Sequence, residues 1–249
     1  MLKFRLLILS FLFSGISHFT MGNEDTLRVL FVGNSYTYYN NLPQLVSILS
    51  EQTRTKLITQ KSVIGGAKLS EHWHGLRGLK TKEMIRSGNY DIVVLQEYSL
   101  GAIEHSDSLK FYAKLFCDLI KENGAVPYLY QTWAREKVPQ YFEVIEKVYA
   151  EVAEENNAHL VPVGYAWRLA NQLRPNVQLF DPDGSHPSNL GTFLAASVFT
   201  ATITGELPET TRTNYTCLDN EGESLTLMIL DKLDVVFCKE IARDLILEK

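Results

Sequence analysis

The chain has 249 residues, 45% of them hydrophobic, and a formal net charge of −5. That is enough apolar content to bury the core of one sizeable α/β domain without requiring a second. No basic run follows the extreme N-terminus, which argues against nucleic acid or an anionic membrane surface as a partner.

In chain order, residues 1–22 read as a signal peptide. Lys3 and Arg5 precede the apolar run 6–16, and small or polar residues follow to Gly22, with Ser17 as a second candidate for the final residue. The run is short for a membrane span. Residues 23–249 are therefore expected as a single exported domain, periplasmic or secreted, with no membrane span after cleavage. Export permits a disulfide, and Cys217 with Cys238 is the first pair to test because both lie in the C-terminal segment. Cys117 reads as a buried small side chain. Three scattered cysteines do not make a zinc framework.

Residues 27–33 form a short apolar run rich in β-branched residues that stops at Gly33-Asn34-Ser35, the pattern of a buried strand and a tight turn carrying a hydroxyl. Asn41 and Pro43 then mark a helix start, with Leu42, Leu45, Val46 and Leu49 at helical spacing. A second strand is expected over 56–63, closed by Gly65-Gly66, and a third over 92–95, ending at Gln96-Glu97. The next helix places Tyr112, Phe116, Leu119 and Ile120 on one face and stops at Asn123-Gly124. A fourth strand over 125–130 precedes a helix whose inward residues are Val138, Tyr141, Phe142, Ile145, Val148 and Val152. A fifth strand falls at 159–163, and Asp181-Pro182-Asp183-Gly184 reads as a turn. Ser188 caps a helix with a stripe of Leu190, Phe193, Leu194, Ser197 and Val198, and a last helix is expected over about 225–247. Strands alternating with helices imply parallel pairing, hence an α/β fold: a three-layer α/β/α sandwich on a five-stranded, mainly parallel sheet.

Four features fall on one expected rim of that sheet: Gly33-Asn34-Ser35, Gly65-Gly66, Gln96 and Asp183-Gly184-Ser185-His186. A serine hydroxyl is a weak nucleophile at neutral pH and needs a base beside it. His186 has the chemistry of that base, and Asp183, three residues earlier, has the reach to hold the second ring nitrogen. Pro182 and Pro187 stiffen the turn between them. Asp181 is a rival for the carboxylate role. Taken singly, each feature is ordinary turn chemistry; the joint occurrence in this chain order is what points to acyl transfer.

This set resembles the SGNH (GDSL-like) hydrolases over residues 27 to about 205. Their blocks are a Gly-Asp-Ser, a glycine after the second strand, a Gly-x-Asn-Asp after the third, and a C-terminal Asp-x-x-His. Asn34 stands here where the family has Asp, and Leu95-Gln96-Glu97 where it has Gly-x-Asn-Asp. The resemblance implies a flavodoxin-like SGNH hydrolase fold, a Ser35–His186–Asp183 triad, and an oxyanion hole of Ser35 N–H, Gly66 N–H and the Gln96 side chain. On that basis Gln96→Ala is expected to cripple the enzyme without unfolding it. It further implies a serine esterase acting on a small-molecule or carbohydrate ester, acetyl being the expected acyl group, with no cofactor.

Other residues are open to two readings. Glu97 is expected as an exposed or turn-bonding carboxylate. Tyr36, Tyr38, Tyr39, Trp73 and Trp133 can form a sugar-stacking wall or merely pack loops on the sheet. His72-Trp73-His74 would put two histidines on one face of a strand, but with no further ligand this is a poor metal site; His72 is kept with Tyr36, Trp73 and Trp133 as a substrate-binding candidate. The rival functions are a catalytically silent carbohydrate-binding protein on the same fold, and an acyltransferase using the same triad.

Overall fold

The computed structural model describes residues 25–248; the expected signal peptide lies outside them, apart from which the described chain begins directly in a strand. β1 (Asp25–Gly33) is exposed at its start and buried from Val29 to Gly33. Val29 and Phe31 pack into the core on one face of the sheet, and Leu30 and Val32 into the core on the other. A strand buried on both faces in this way has no polar alternation, which is why it reads as a continuous apolar run.

After β1 come α1 (Ser35–Tyr38) and α2 (Leu42–Ser50), then β2 (Thr55–Val63), α3 (Leu69–His74), α4 (Thr81–Ser87) and β3 (Ile92–Leu95). The chain continues through α5 (Gly101–Glu104), α6 (Ser106–Glu122), β4 (Val126–Tyr130), α7 (Phe142–Glu155), β5 (His159–Val161) and α8 (Val163–Leu173). It closes with α9 (Asn189–Thr204), a hairpin of β6 (Asn214–Leu218) and β7 (Ser224–Ile229), and α10 (Lys232–Ile246). The five strands β2-β1-β3-β4-β5 pair in parallel in that spatial order. Residues of α2, α8, α9 and α10 fill the core on one face, and residues of α3, α4, α6 and α7 the core on the other. The result is the expected three-layer α/β/α sandwich. No helix among the described residues is long and apolar enough to cross a membrane.

From β1 the chain goes outward to β2 and then crosses back over β1 to β3. The C-terminal ends of β1 and β3 therefore flank the topological switch point, where open α/β sheets leave a crevice for ligands. Gly33 pairs with Val63 and Val32 with Leu95, so Ser35, Gly65-Gly66 and Gln96-Glu97 all emerge at that crevice.

Four expectations are corrected. The region 225–247 is not one helix: β7 occupies Ser224–Ile229 and α10 starts at Lys232, with the Asp231 side chain accepting from Leu233 N–H at 2.8 Å. Leu225 and Leu227 alternate with Ser224 and Thr226, and Asp219 Oδ1 accepts from the amides of Glu221 and Glu223 to close the β6–β7 turn; that short period-two signal was masked by the longer helical stripe behind it. The fifth strand stops at Val161, because the chain turns into the unanticipated helix α8 at Val163. Val138 and Tyr141 precede α7, which begins at Phe142, and Tyr141 is exposed. All three cysteines are free thiols, so Cys217 and Cys238 do not pair. Burial instead places Cys238 inside the α10 core contact and pushes its thiol well above the ordinary value.

Candidate active site

The turn after β1 is a helix start. Asn34 is the N-cap of α1, its Oδ1 accepting from Tyr36 N–H at 3.2 Å. Ser35 is the first residue of that helix, where an N–H has no acceptor within the helix. Its Oγ lies 2.9 Å from His186 Nε2. The other ring nitrogen, Nδ1, is 2.5 Å from Asp183 Oδ2. Asp183 Oδ1 accepts from the amides of Ser185, at 2.8 Å, and His186, at 2.9 Å. Desolvation, the largest single influence, pushes the Asp183 carboxyl up, but the His186 contact and those two amides outweigh it and hold it at about 2. Asp181 uses its backbone instead: its N–H donates to His186 C=O at 2.9 Å and its C=O accepts from Gly184 N–H. Its carboxylate makes no contact with His186.

The loop carrying Asp183 and His186 is tightly pinned. Phe180 and Pro187 form an antiparallel bridge at its base, and Gly184 takes a left-handed φ of +68° that any side chain would resist. Ser185 Oγ is 2.8 Å from the Tyr36 hydroxyl, and its C=O accepts from Trp133 Nε1 at 3.0 Å. Tyr39 stacks on the His186 ring with centroids 4.2 Å apart. Imidazole rotation is thus restricted by a ring face as well as by hydrogen bonds.

Of the expected oxyanion donors, Ser35 and Gly66 line the same cleft of about 360 Å³ as His186. Gly66 has a φ of +66° with open space where a Cβ would sit. Gln96 is not brought there. It is fully buried: Oε1 accepts from Asn34 N–H at 3.0 Å and from Thr37 Oγ at 2.9 Å, while Nε2 donates to Asn34 Oδ1 at 3.1 Å and to Glu97 C=O. Both amide hydrogens are committed inside the protein, so none is left to point at a substrate. A Cβ on Gly33 would lie 2.5 Å from both Gln96 Oε1 and Thr37 Oγ1. Glycine at position 33 is what lets the amide reach under the Ser35 turn.

The substrate-wall candidates separate in the same way. Tyr36 lines the cleft, although nearly all of it is buried by stacking on Trp133 at 4.6 Å. Trp133 stands behind Tyr36, stacked on Trp167 at 3.8 Å, and lines a neighbouring cavity of about 500 Å³ rather than the Ser35 cleft. Trp73 packs edge-on against Phe116 on the far side of α3, with the Lys82 ammonium over its ring. The His72-Trp73-His74 stretch is helix, not strand, so His72 and His74 do not share a face. His74 contacts Tyr112 at the surface. His72 is fully buried beneath β1, with Nε2 2.9 Å from Gly33 C=O and Nδ1 2.7 Å from Thr81 Oγ1. A carbonyl only accepts, so Nε2 carries the proton and Nδ1 accepts from Thr81. The side chain is a strut for Gly33, not a substrate contact.

Glu97 is turn-bonding as expected but not exposed: it is 3% accessible, and its carboxylate accepts from Tyr98 N–H at 2.6 Å and Leu69 N–H at 3.3 Å. Burial pushes it up to about 7, against the opposing pull of those two amides and of Lys68. Burial pushes His72 the other way, down to about 4. The two shifts have opposite consequences for stability. Glu97, raised from 4.5 to about 7, contributes stability that is full below pH 4.5 and lost as pH rises through 7. His72, lowered from 6.5 to about 4, contributes stability that is full above pH 6.5 and lost as pH falls through 4. Each amounts to something on the order of 3 kcal/mol, and between pH 4.5 and 6.5 they offset one another. Glu97→Gln should unmask the histidine, giving a thermal midpoint that climbs with pH across that window while the parent stays nearly level. Thermal unfolding in half-unit pH steps checks this; parallel profiles for the two proteins would refute it.

Sequence reasoning did not anticipate Tyr39 on His186, the Ser185–Tyr36 contact, or Arg135, which also lines the cleft. Arg135 follows the C-terminal end of β4, on the same rim as the other site residues, and that position was the available signal.

No family model and no curated protein matches the sequence. Solved structures do. A protein from Slackia heliotrinireducens assigned to the SGNH hydrolases is 26% identical and superposes with a TM-score of 0.62, over 72% of this chain and 100% of that one. A DUF4886 family protein from Bacteroides uniformis is 19% identical, with a TM-score of 0.68 over 90% of this chain and 95% of the other. An acetyl xylan esterase is 16% identical, with a TM-score of 0.58 over 71% of this chain and the whole of that enzyme. The likeness to the Slackia protein, together with the parallel sheet order and the crevice beyond β1 and β3, places the chain in the SGNH hydrolase superfamily.

Proposed function

We propose that the protein is a serine esterase that hydrolyses a small acyl ester, acetyl on carbohydrate, through an acyl-enzyme intermediate. The observation that carries this reading is the unbroken chain from Ser35 Oγ through His186, at 2.9 Å, to Asp183, at 2.5 Å. Ser35 Oγ attacks the ester carbonyl while His186 Nε2 takes its proton. Asp183, ionised at neutral pH, holds the imidazole with Nδ1 protonated and stabilises the imidazolium. Negative charge on the former carbonyl oxygen is met by Ser35 N–H and Gly66 N–H, donors preorganised by the helix start and the left-handed glycine. His186 returns the proton to the leaving alcohol, and the acyl group stays on Ser35. Water, deprotonated by the same imidazole, then releases the acid and frees the serine. Every step is a proton transfer or an acyl transfer, so no cofactor enters.

Support for the ester class comes from structural neighbours that include an acetyl xylan esterase, a lipase/acylhydrolase from Enterococcus faecalis and an esterase from Pseudoalteromonas. The exported location belongs to the proposal too, and rests on the sequence of residues 1–22. The test is a fluorophosphonate probe with mass spectrometry, run beside a screen of acetylated sugars for released acetate. Labelling at Ser35 with acetate release from one sugar is the expected result; absence of both would sink the hydrolase reading in favour of a silent binding protein.

A further inference from the structure

The cleft holds one cation that the acyl-transfer steps do not use. Arg135 lines it together with Ser35, Gly66, Ser99 and His186, and it also lines the neighbouring 500 Å³ cavity, so it stands at the junction of the two. Its Nη2 donates to Ser99 Oγ at 2.8 Å, and its Nε–H is buried with no protein acceptor. Among the described residues no carboxylate lies within 4 Å of the guanidinium. The carboxylate nearest the reaction, Asp183, is already committed to His186 and two amides. Glu97 is committed behind the cleft to Leu69 and Tyr98.

A guanidinium presents five donors in a fixed planar fork, and a carboxylate is the acceptor that matches it with two parallel hydrogen bonds. Leaving a buried N–H without an acceptor is unfavourable, and the Arg135 side chain is half-buried, with a face on the cleft. Its hydroxyl neighbours, Ser99 and Tyr36, are neutral and supply no counter-charge, which leaves that role open to a bound anion. Resting on the esterase reading, we propose that Arg135 binds a carboxylate carried by the substrate, so that the ester belongs to an acidic molecule of the uronate-sugar class. The acyl group sits at Ser35, and the acidic part of the substrate reaches toward the junction with the second cavity.

The experiment separates this inference from the hydrolase reading by measuring binding apart from turnover. Calorimetry on Ser35→Ala protein compares mono-O-acetyl glucuronate with mono-O-acetyl glucose. The acidic sugar should bind at least tenfold more tightly. Adding Arg135→Gln should abolish that preference, and Arg135→Lys, which keeps charge but not the fork, should restore part of it. Thermal unfolding of both variants establishes that they fold. Equal affinity for the two sugars, no binding of the acidic one, or a preference that survives Arg135→Gln overturns the proposal. Preferential binding of the acidic sugar with no acetate released by the Ser35 protein would instead overturn the hydrolase reading and leave Arg135 as an anion reader. Turnover of both sugars at equal kcat/KM would do the reverse.

Discussion

Ser35→Ala should lower ester turnover by about 10⁴–10⁶-fold and leave the thermal midpoint almost unchanged. The magnitude follows from the nucleophile and its base acting as a unit: once the Oγ is gone, His186 has nothing to activate, and the remaining rate comes from substrate binding and the two amide donors. Stability should hold because the Oγ makes one hydrogen bond, to a histidine that keeps its Asp183 contact and its Tyr39 stacking. A net hydrogen bond of this kind is worth about 1 kcal/mol. His186→Ala should cost a similar factor, and the double variant no more than either alone. Kinetics on an activated acetyl ester measures all three. Additive losses would mean that Ser35 and His186 do not work on the same step, and the triad assignment would fail.

Gln96→Leu should unfold the protein more readily than it slows the chemistry. Leucine fills similar space but leaves Asn34 N–H and the Thr37 hydroxyl, both buried, without the oxygen they now share. Each orphaned buried donor costs about 1–3 kcal/mol, so a loss of roughly 4 kcal/mol is expected. For a chain of this size that lowers the midpoint by roughly 10 °C. The folded fraction should also turn over more slowly, since the cap residue Asn34 is held partly by the same amide. If Gln96 instead supplied an oxyanion donor, the midpoint would stay put while kcat fell about 10²–10³-fold. Calorimetric melting beside kcat at a temperature well below the transition distinguishes the two outcomes.

These contrasting expectations for Gln96 mark where sequence reading stopped. The strand-turn-serine of residues 27–35 and the Asp183-x-x-His186 turn were legible because their chemistry is local. A strand buried on both faces is a continuous apolar run, and a carboxylate three residues before a histidine reaches it within one turn. The role of Gln96 was not local. Its bonds run to Asn34 and Thr37, about sixty residues earlier, and depend on Gly33 having no Cβ. The β6–β7 hairpin was lost for a different reason: its alternation is short and abuts the longer helical stripe of α10, which dominates any window that spans both.

Sequence alone therefore determined the parallel α/β architecture and the identity of the residues with triad chemistry, because strand burial, turn propensity and acid–base character are properties of short segments. Only the tertiary structure decided which neighbours surround Ser35, His186 and Asp183. It put Gln96, Glu97 and His72 beneath the Ser35 turn as buried supports, Trp73 against Phe116 and Trp133 behind Tyr36, and Arg135 at the cleft. Whether an amide, an imidazole or a guanidinium faces the protein or the substrate depends on which distant partners satisfy its hydrogen bonds. Those partners are brought together by the order of strands in the sheet, not by spacing along the chain.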